Sequence, residues 1–206
     1  KALDKCTTCA TNTGVGAYAL GKDSTGSSNT AIGSNAMSNF NGWGYNVAIG
    51  SDAMGSATGG GPNVAIGASS MSVNTTGSYN VAVGSSTLYK NTTGEKNTAL
   101  GDGALYNNTT GNNNIAIGYS ALSSNATGND NIAIGFIAGG YITTGTSNIA
   151  IGTLALRNNF TGNKNTALGY NALKQSTASN NTAIGSSALV SSTASDNTAT
   201  GTEAMY

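Results

Sequence analysis

Few side chains in this 206-residue sequence have the types and spacing that chemistry requires. The two cysteines form a C-T-T-C motif, Cys6 and Cys9, ahead of everything regular in the chain. A redox reading needs a thioredoxin-like βαβ context, and none surrounds the pair. A zinc reading needs further ligands, but there is no second pair and no His. The pair therefore reads as a disulfide of an oxidising compartment. The acidic residues are Asp4, Asp23, Asp52, Asp102, Asp130, Asp196, Glu95 and Glu203. They are scattered and do not recur at the fixed spacing of a hydrolytic carboxylate pair or a calcium loop. Ser and Thr abound, yet no histidine stands ready to activate a hydroxyl. No enzyme, metal site or cofactor is expected.

Composition narrows the function further. Gly, Asn, Thr and Ser make up 110 of the 206 residues, charged residues are 8%, and the formal net charge is zero. Eight Lys and Arg make no basic stripe for a phosphate backbone, so nucleic acid is not an expected partner. No apolar run approaches the roughly 18 residues of a membrane helix, so no membrane insertion is expected in this segment. The 38% hydrophobic content is enough for a core, but one built mainly of small residues.

The elements that position these residues are repeats. The phrase N-T-A-I-G-S-N-A-M begins at Asn29 and returns at Asn46, Asn63, Asn80, Asn97, Asn114, Asn131, Asn148, Asn165, Asn181 and Asn197. It reads back to Asn12, which makes twelve copies, spaced by 17 residues nine times and then by 16 twice. So short and strict a period means one solenoid turn per repeat. The consensus is N-[TVI]-A-[IVL]-G-x-x-A-[LM]-x-x-N-T-T-G-x-x, with a β-branched phrase suited to a strand and Gly, Asn and Ser suited to turns. The fold class is all-β: a parallel β-solenoid or β-roll of about twelve 17-residue coils, with two or three short strands per coil. Twelve coils give a rod of roughly 55–60 Å. Residues 1–11 form an N-terminal segment carrying the C-T-T-C motif, and 12–206 a single repeat domain.

Each column of the stack carries an expectation. Consensus positions 2 and 4 are aliphatic or Thr throughout, two apart on a strand, and are expected to point into the coil. Position 9, Leu or Met except at Gly139, is expected to supply the opposite wall. Position 5 is Gly from Gly16 to Gly201, which predicts a positive φ where the strand ends. A second glycine column, as in Gly77, Gly94, Gly111 and Gly128, predicts another corner. The invariant Asn at position 1 predicts bonds to turn backbone or an Asn ladder. Position 3 is Gly14 and then Ala31, Ala48, Ala65, Ala82, Ala99, Ala116, Ala133, Ala150, Ala167, Ala183 and Ala199. Lying between two inward residues, it is expected to point outward and to form an oligomer face. A cramped coil interior is the other explanation.

Three surface features remain. Position 14 is Thr in six consecutive coils, Thr76 to Thr161, an array that an ice-binding or other flat-surface-binding solenoid would use. Tyr119, Phe136 and Tyr170 share position 6, while Tyr89, Tyr106 and Tyr206 share position 10. These aromatics read either as patches for glycan or partner contact or as packing at the edge of the roll. The most irregular coil is N-F-N-G-W-G-Y, Asn39 to Tyr45, where a specific contact is expected if any coil carries one.

The phrase N-V-A-I-G resembles the head repeats of YadA-like trimeric autotransporter adhesins, whose motif runs close to S-V-A-I-G-x-x-S-x-A. The longer N-T-A-L-G-Y-N-A-L, Asn165 to Leu173, together with N-T-T-G, is similar to repeats of phage tail fibres and bacterial surface fibres. The resemblance covers nearly all of 12–206. It implies a left-handed parallel β-roll assembled as a homotrimer, extracellular, on a cell surface or on a virion. A 17-residue coil is longer than the usual adhesin repeat and implies a larger turn or a third short strand. In such a trimer Cys6 and Cys9 are expected to bridge either within one chain or between chains. Beginning at Lys1 without Met, the chain is expected to be a processed product or an excised fragment. The function expected is that of a structural or adhesive fibre segment, with a surface glycan or protein receptor as its partner. A subunit of an end-to-end filament is the other assembly expected from open solenoid ends.

Overall fold

A computed structural model describes residue 2 and residues 10–22 and 25–205. It is an all-β solenoid of about eleven turns, with no helix among the described residues. Each coil contributes one three-residue strand: β1 Thr13–Val15, β2 Thr30–Ile32, β3 Val47–Ile49, β4 Val64–Ile66, β5 Val81–Val83, β6 Thr98–Leu100, β7 Ile115–Ile117, β8 Ile132–Ile134, β9 Ile149–Ile151, β10 Thr166–Leu168, β11 Thr182–Ile184 and β12 Thr198–Thr200. The strands form a single parallel sheet in chain order, and every pairing is in register with the repeat, as in Thr98↔Ile115, Ala99↔Ala116 and Leu100↔Ile117. One strand per coil replaces the two or three expected. The remainder of each coil is turn backbone that still bonds to the next coil, as where Leu105 N–H donates to Ala121 O at 3.0 Å.

Which residues face inward reverses the expectation. The alanines of position 3, Ala31, Ala48, Ala65, Ala82, Ala99, Ala116, Ala133, Ala150, Ala167, Ala183 and Ala199, are all buried within the chain, the most exposed being Ala199 at 5%. They are a core column and cannot be an outer face. None of the residues at positions 2 and 4 is buried, and many are exposed, Leu100 at 46% among them. The reason is the parity of the pleat combined with a thin coil. Asn at position 1 is buried, so position 3 shares its side and positions 2 and 4 take the other. The interior between the strand and the opposite turn holds Ala at position 3, a second small column at position 8 (Ala104, Ala121, Ala138) and the position 9 wall of Leu105, Leu122 and their equivalents. An in-register stack at about 4.8 Å per coil, closed by the position 9 wall, leaves room at position 3 for a methyl group and none for a branched side chain.

Position 9 does face inward as expected, and its exception shows how tightly the space is filled. At Gly139 the Leu is missing, and Ile142, buried where neighbouring coils carry Asn125 and Asn159, reaches in. A Cβ on Gly139 would lie 3.1 Å from the Ile142 Cδ1.

Most polar interior groups are satisfied by ladders along the axis, the exceptions including Asn29 Nδ2, Asn125 Oδ1 and Asn181 Nδ2. The Asn97 N–H donates to Asn80 Oδ1 at 2.9 Å, and its side-chain Nδ2 donates to Gly111 O at 2.8 Å. Asn114 N–H in turn donates to Asn97 Oδ1 at 3.0 Å. A second, shorter ladder runs through Asn74, Asn91, Asn108 and Asn125, whose Nδ2 groups donate both to the preceding ladder Asn, where one is present, and to the glycine three residues on. The glycines answer to two different demands. Gly101 has φ +126°, a conformation only glycine adopts readily, and a Cβ there would sit 2.6 Å from Gly118 O. Gly77 is not in that region; a Cβ on it would lie 2.6 Å from Asn74 Oδ1 in the second ladder.

Candidate functional site

With the alanines inside, the sheet's outer face is a continuous apolar stripe. Val15, Ile32, Val81, Leu100, Ile115, Ile134, Ile149, Leu168 and Ile184 are exposed along it, and Val47, Ile49, Val64, Ile66, Val83, Ile117 and Ile151 are half-buried. Eleven steps of coil rise by the two-residue width of the strand give a patch of roughly 350 Å². That is the size of the largest single apolar patch on a typical monomer, one that is often functional. Thr occupies position 2 in β1, β2 and β10 to β12, so the stripe is most apolar between β3 and β9, where Thr98 of β6 is the one interruption.

Around the coil from this stripe, the six threonines Thr76, Thr93, Thr110, Thr127, Thr144 and Thr161 are all exposed in single file. The residues just before them are not a second free file: Thr75, Thr92, Thr109 and Thr143 donate their hydroxyls to the next coil's carbonyls at 2.8–2.9 Å. The aromatics of positions 6 and 10 stack on each other up the axis. Tyr89 and Tyr106 are 5.2 Å apart and Tyr119 and Phe136 5.5 Å, both pairs nearly parallel. Tyr141 and Phe160 form a third pair at 6.3 Å that the sequence did not mark, because they stand at different repeat positions. Lys90 over the Tyr106 ring and Arg157 over the Tyr141 ring add cation–π contacts.

The carboxylates lie apart. Asp52 accepts hydrogen bonds from Asn35 and Ser51, and Asp130 from Asn113. No group of three His, Cys, Asp or Glu residues that could hold a metal occurs among the described residues. Nor is any helix among them long and apolar enough to cross a membrane. Cys6, Cys9, Asp4, Asp23 and Tyr206 lie outside the described residues.

The irregular coil gives the most distinctive surface. In register with Trp43, the neighbouring coils carry Gly26, Gly60, Gly77, Gly94, Gly111, Gly128, Gly145 and Gly162. Trp43 replaces that glycine and projects outward, 80% exposed. The preceding ladder position is changed too: Phe40 and Ala57 fill the buried column that Asn occupies from Asn74 to Asn125. Trp43 O and Gly44 O both accept from Asn46 Nδ2, while the buried Nδ2 of Asn29 is left without a partner. An orphaned buried amide costs about 1–3 kcal/mol. The irregular coil thus carries a structural cost, and the exposed indole returns little packing.

The comparisons add no identity: no protein-family model, curated protein or solved structure matches the chain.

Proposed function

We propose that the chain is a structural segment of an extracellular fibre, a left-handed β-roll that assembles as a homotrimer through the apolar stripe of positions 2 and 4 and acts by stiffness rather than by catalysis. The observation that carries this reading is the stripe itself. Aliphatic side chains have been kept on the outer face of a flat parallel sheet for nearly the full length of the rod, on a chain whose composition is otherwise polar. A parallel sheet is ordinarily covered on both faces. A second copy presents the same straight ladder with the same rise, so like faces fit without adjustment. The resemblance of N-V-A-I-G to adhesin and tail-fibre repeats supports the trimer and the extracellular setting. The test is the double variant Ile115→Asp, Ile149→Asp. It is expected to yield folded monomers, because both side chains point away from the coil interior; an unchanged native mass would contradict the interface.

The exposed threonine file favours a second reading, a solenoid that binds a flat surface such as ice. It predicts thermal hysteresis, abolished by Thr110→Lys and Thr127→Lys together. Absence of hysteresis in concentrated protein removes it.

A further inference from the structure

Trp43 forms a wall of two adjoining surface depressions of about 490 and 340 Å³. Thr25, Ser27 and Tyr45 help line the first, and Thr76, Ser78, Tyr79 and Glu95 the second. Tyr45, Pro62 and Tyr79 occupy the same position in three successive coils, so the two tyrosines are about 10 Å apart along the axis, with the proline between them. All three aromatic rings are exposed, Tyr45 at 71% and Tyr79 at 61%. Gly42 and Gly44 flank Trp43, and a Cβ on either would collide with the backbone of an adjacent coil, Gly59 and Ser27 respectively, so the segment holding the indole outward depends on both glycines.

We propose that these two depressions are a binding site for a neutral oligosaccharide, with Trp43 and Tyr79 stacking on pyranose faces. The chemistry is that of a sugar. Pyranose rings present C–H faces that pack on aromatic planes and hydroxyls that need donors and acceptors at the rim. Thr76 supplies a hydroxyl that can do both, Ser78 Oγ, which already donates to Thr76 O and accepts from Gly61 N–H, supplies a further acceptor lone pair, and Glu95 supplies a carboxylate for bidentate hydroxyl contacts. Glu95 is the one charged residue lining either depression, so an acidic sugar is disfavoured. At about 10 Å apart, Tyr45 and Tyr79 would meet alternate rather than adjacent units of an extended oligosaccharide. The site is built by one chain and does not depend on the fibre reading.

The chain contains a single tryptophan, so indole fluorescence of the native assembly reports on Trp43 alone. Chitotetraose, cellotetraose, mannotetraose, lactose and sialyllactose would be titrated, with decaproline as the peptide competitor. The expected result is a saturable emission change with at least one neutral sugar, and weaker or absent binding of sialyllactose. Tyr79→Ala is expected to weaken that affinity by at least roughly tenfold. Trp43→Gly installs the residue its column otherwise carries, so it leaves the fold intact; by saturation-transfer NMR it is expected to abolish binding. Four results overturn the proposal: no response to any neutral sugar at about 10 mM, well above the millimolar range of weak specific binding; undiminished binding in Trp43→Gly; saturable binding of decaproline alone; or emission characteristic of a buried indole before sugar is added.

Discussion

Removing one Asn from the position 1 ladder tests whether hydrogen bonding along the axis, rather than the apolar interior alone, holds the coils together. In the sixth and seventh coils the consequences of Asn97→Ala can be followed atom by atom. Asn80 Oδ1 keeps the backbone N–H of residue 97, and Gly111 O keeps the Asn108 Nδ2 at 3.0 Å. Asn114 fares worse: its backbone N–H and its Nδ2 both bond Asn97 Oδ1, at 3.0 and 3.1 Å. Its Nδ2 retains Gly128 O, but the buried N–H loses its acceptor. One orphaned buried N–H costs about 1–3 kcal/mol, and loss of the remaining bonds and of the side-chain volume brings the total to about 2–4 kcal/mol. For a chain of this size that lowers Tm by roughly 5–15 °C. The control is Thr110→Ala, exposed and without a structural bond from its hydroxyl, expected within about 0.5 kcal/mol of the parent. Thermal melts give the magnitude, and hydrogen exchange gives the location, because protection is expected to fall at the Asn114 amide and its neighbouring coils before the rod ends. Equal Tm values for Asn97→Ala and Thr110→Ala, or unchanged protection at Asn114, would refute the reasoning.

The other predictions concern the interior and its exceptions. Ala116→Val places two extra methyls between Ala99 and Ala133 and is expected to destabilise by about 1–3 kcal/mol, whereas Ile115→Val on the outer face is expected to leave coil stability nearly unchanged; urea titration of monomeric protein separates the two. Gly101→Ala combines φ +126° with a Cβ placed 2.6 Å from Gly118 O and is expected to cost more than about 3 kcal/mol, read as loss of cooperative melting. Gly139→Leu alone is expected to clash with Leu122 and Ile142, while the double variant with Ile142→Asn rebuilds the usual pair of residues. A double-mutant cycle is expected to give a favourable coupling of about 0.5–3 kcal/mol.

The period, the parallel stack and the ladders were legible because each depends on recurrence, and the sequence recurs almost without interruption from Asn12 to Asn197. The glycine of position 5 and the Asn of position 1 were legible for the same reason: one needs a conformation, the other a reciprocal bond, and few residues substitute for either. Orientation of the strand was not legible from hydrophobicity. In a wide core the larger aliphatic residue marks the inside; in this thin coil the inward side of the strand carries only Asn and Ala, the larger buried residues come from the opposite turn, and the strand's own larger residues lie outside. Uniformity was the usable signal. Ala at position 3 and Asn at position 1 scarcely vary and share one side of the strand, while positions 2 and 4 interchange Thr, Val, Ile and Leu as an outer face permits. Trp43 was visible only as an irregularity, because a single residue breaking a glycine column has no partner column to explain it. The stacking of Tyr141 on Phe160 was hidden by their different places in the repeat.

The central claim is that the apolar stripe is covered by further copies of the chain. Its most direct test is the native mass by light scattering or native mass spectrometry, with and without reductant. A mass three times the 20.3 kDa chain is predicted, collapsing to 20.3 kDa in the Ile115→Asp, Ile149→Asp variant. A monodisperse 20.3 kDa species in the parent protein, with the stripe open to solvent, would contradict it.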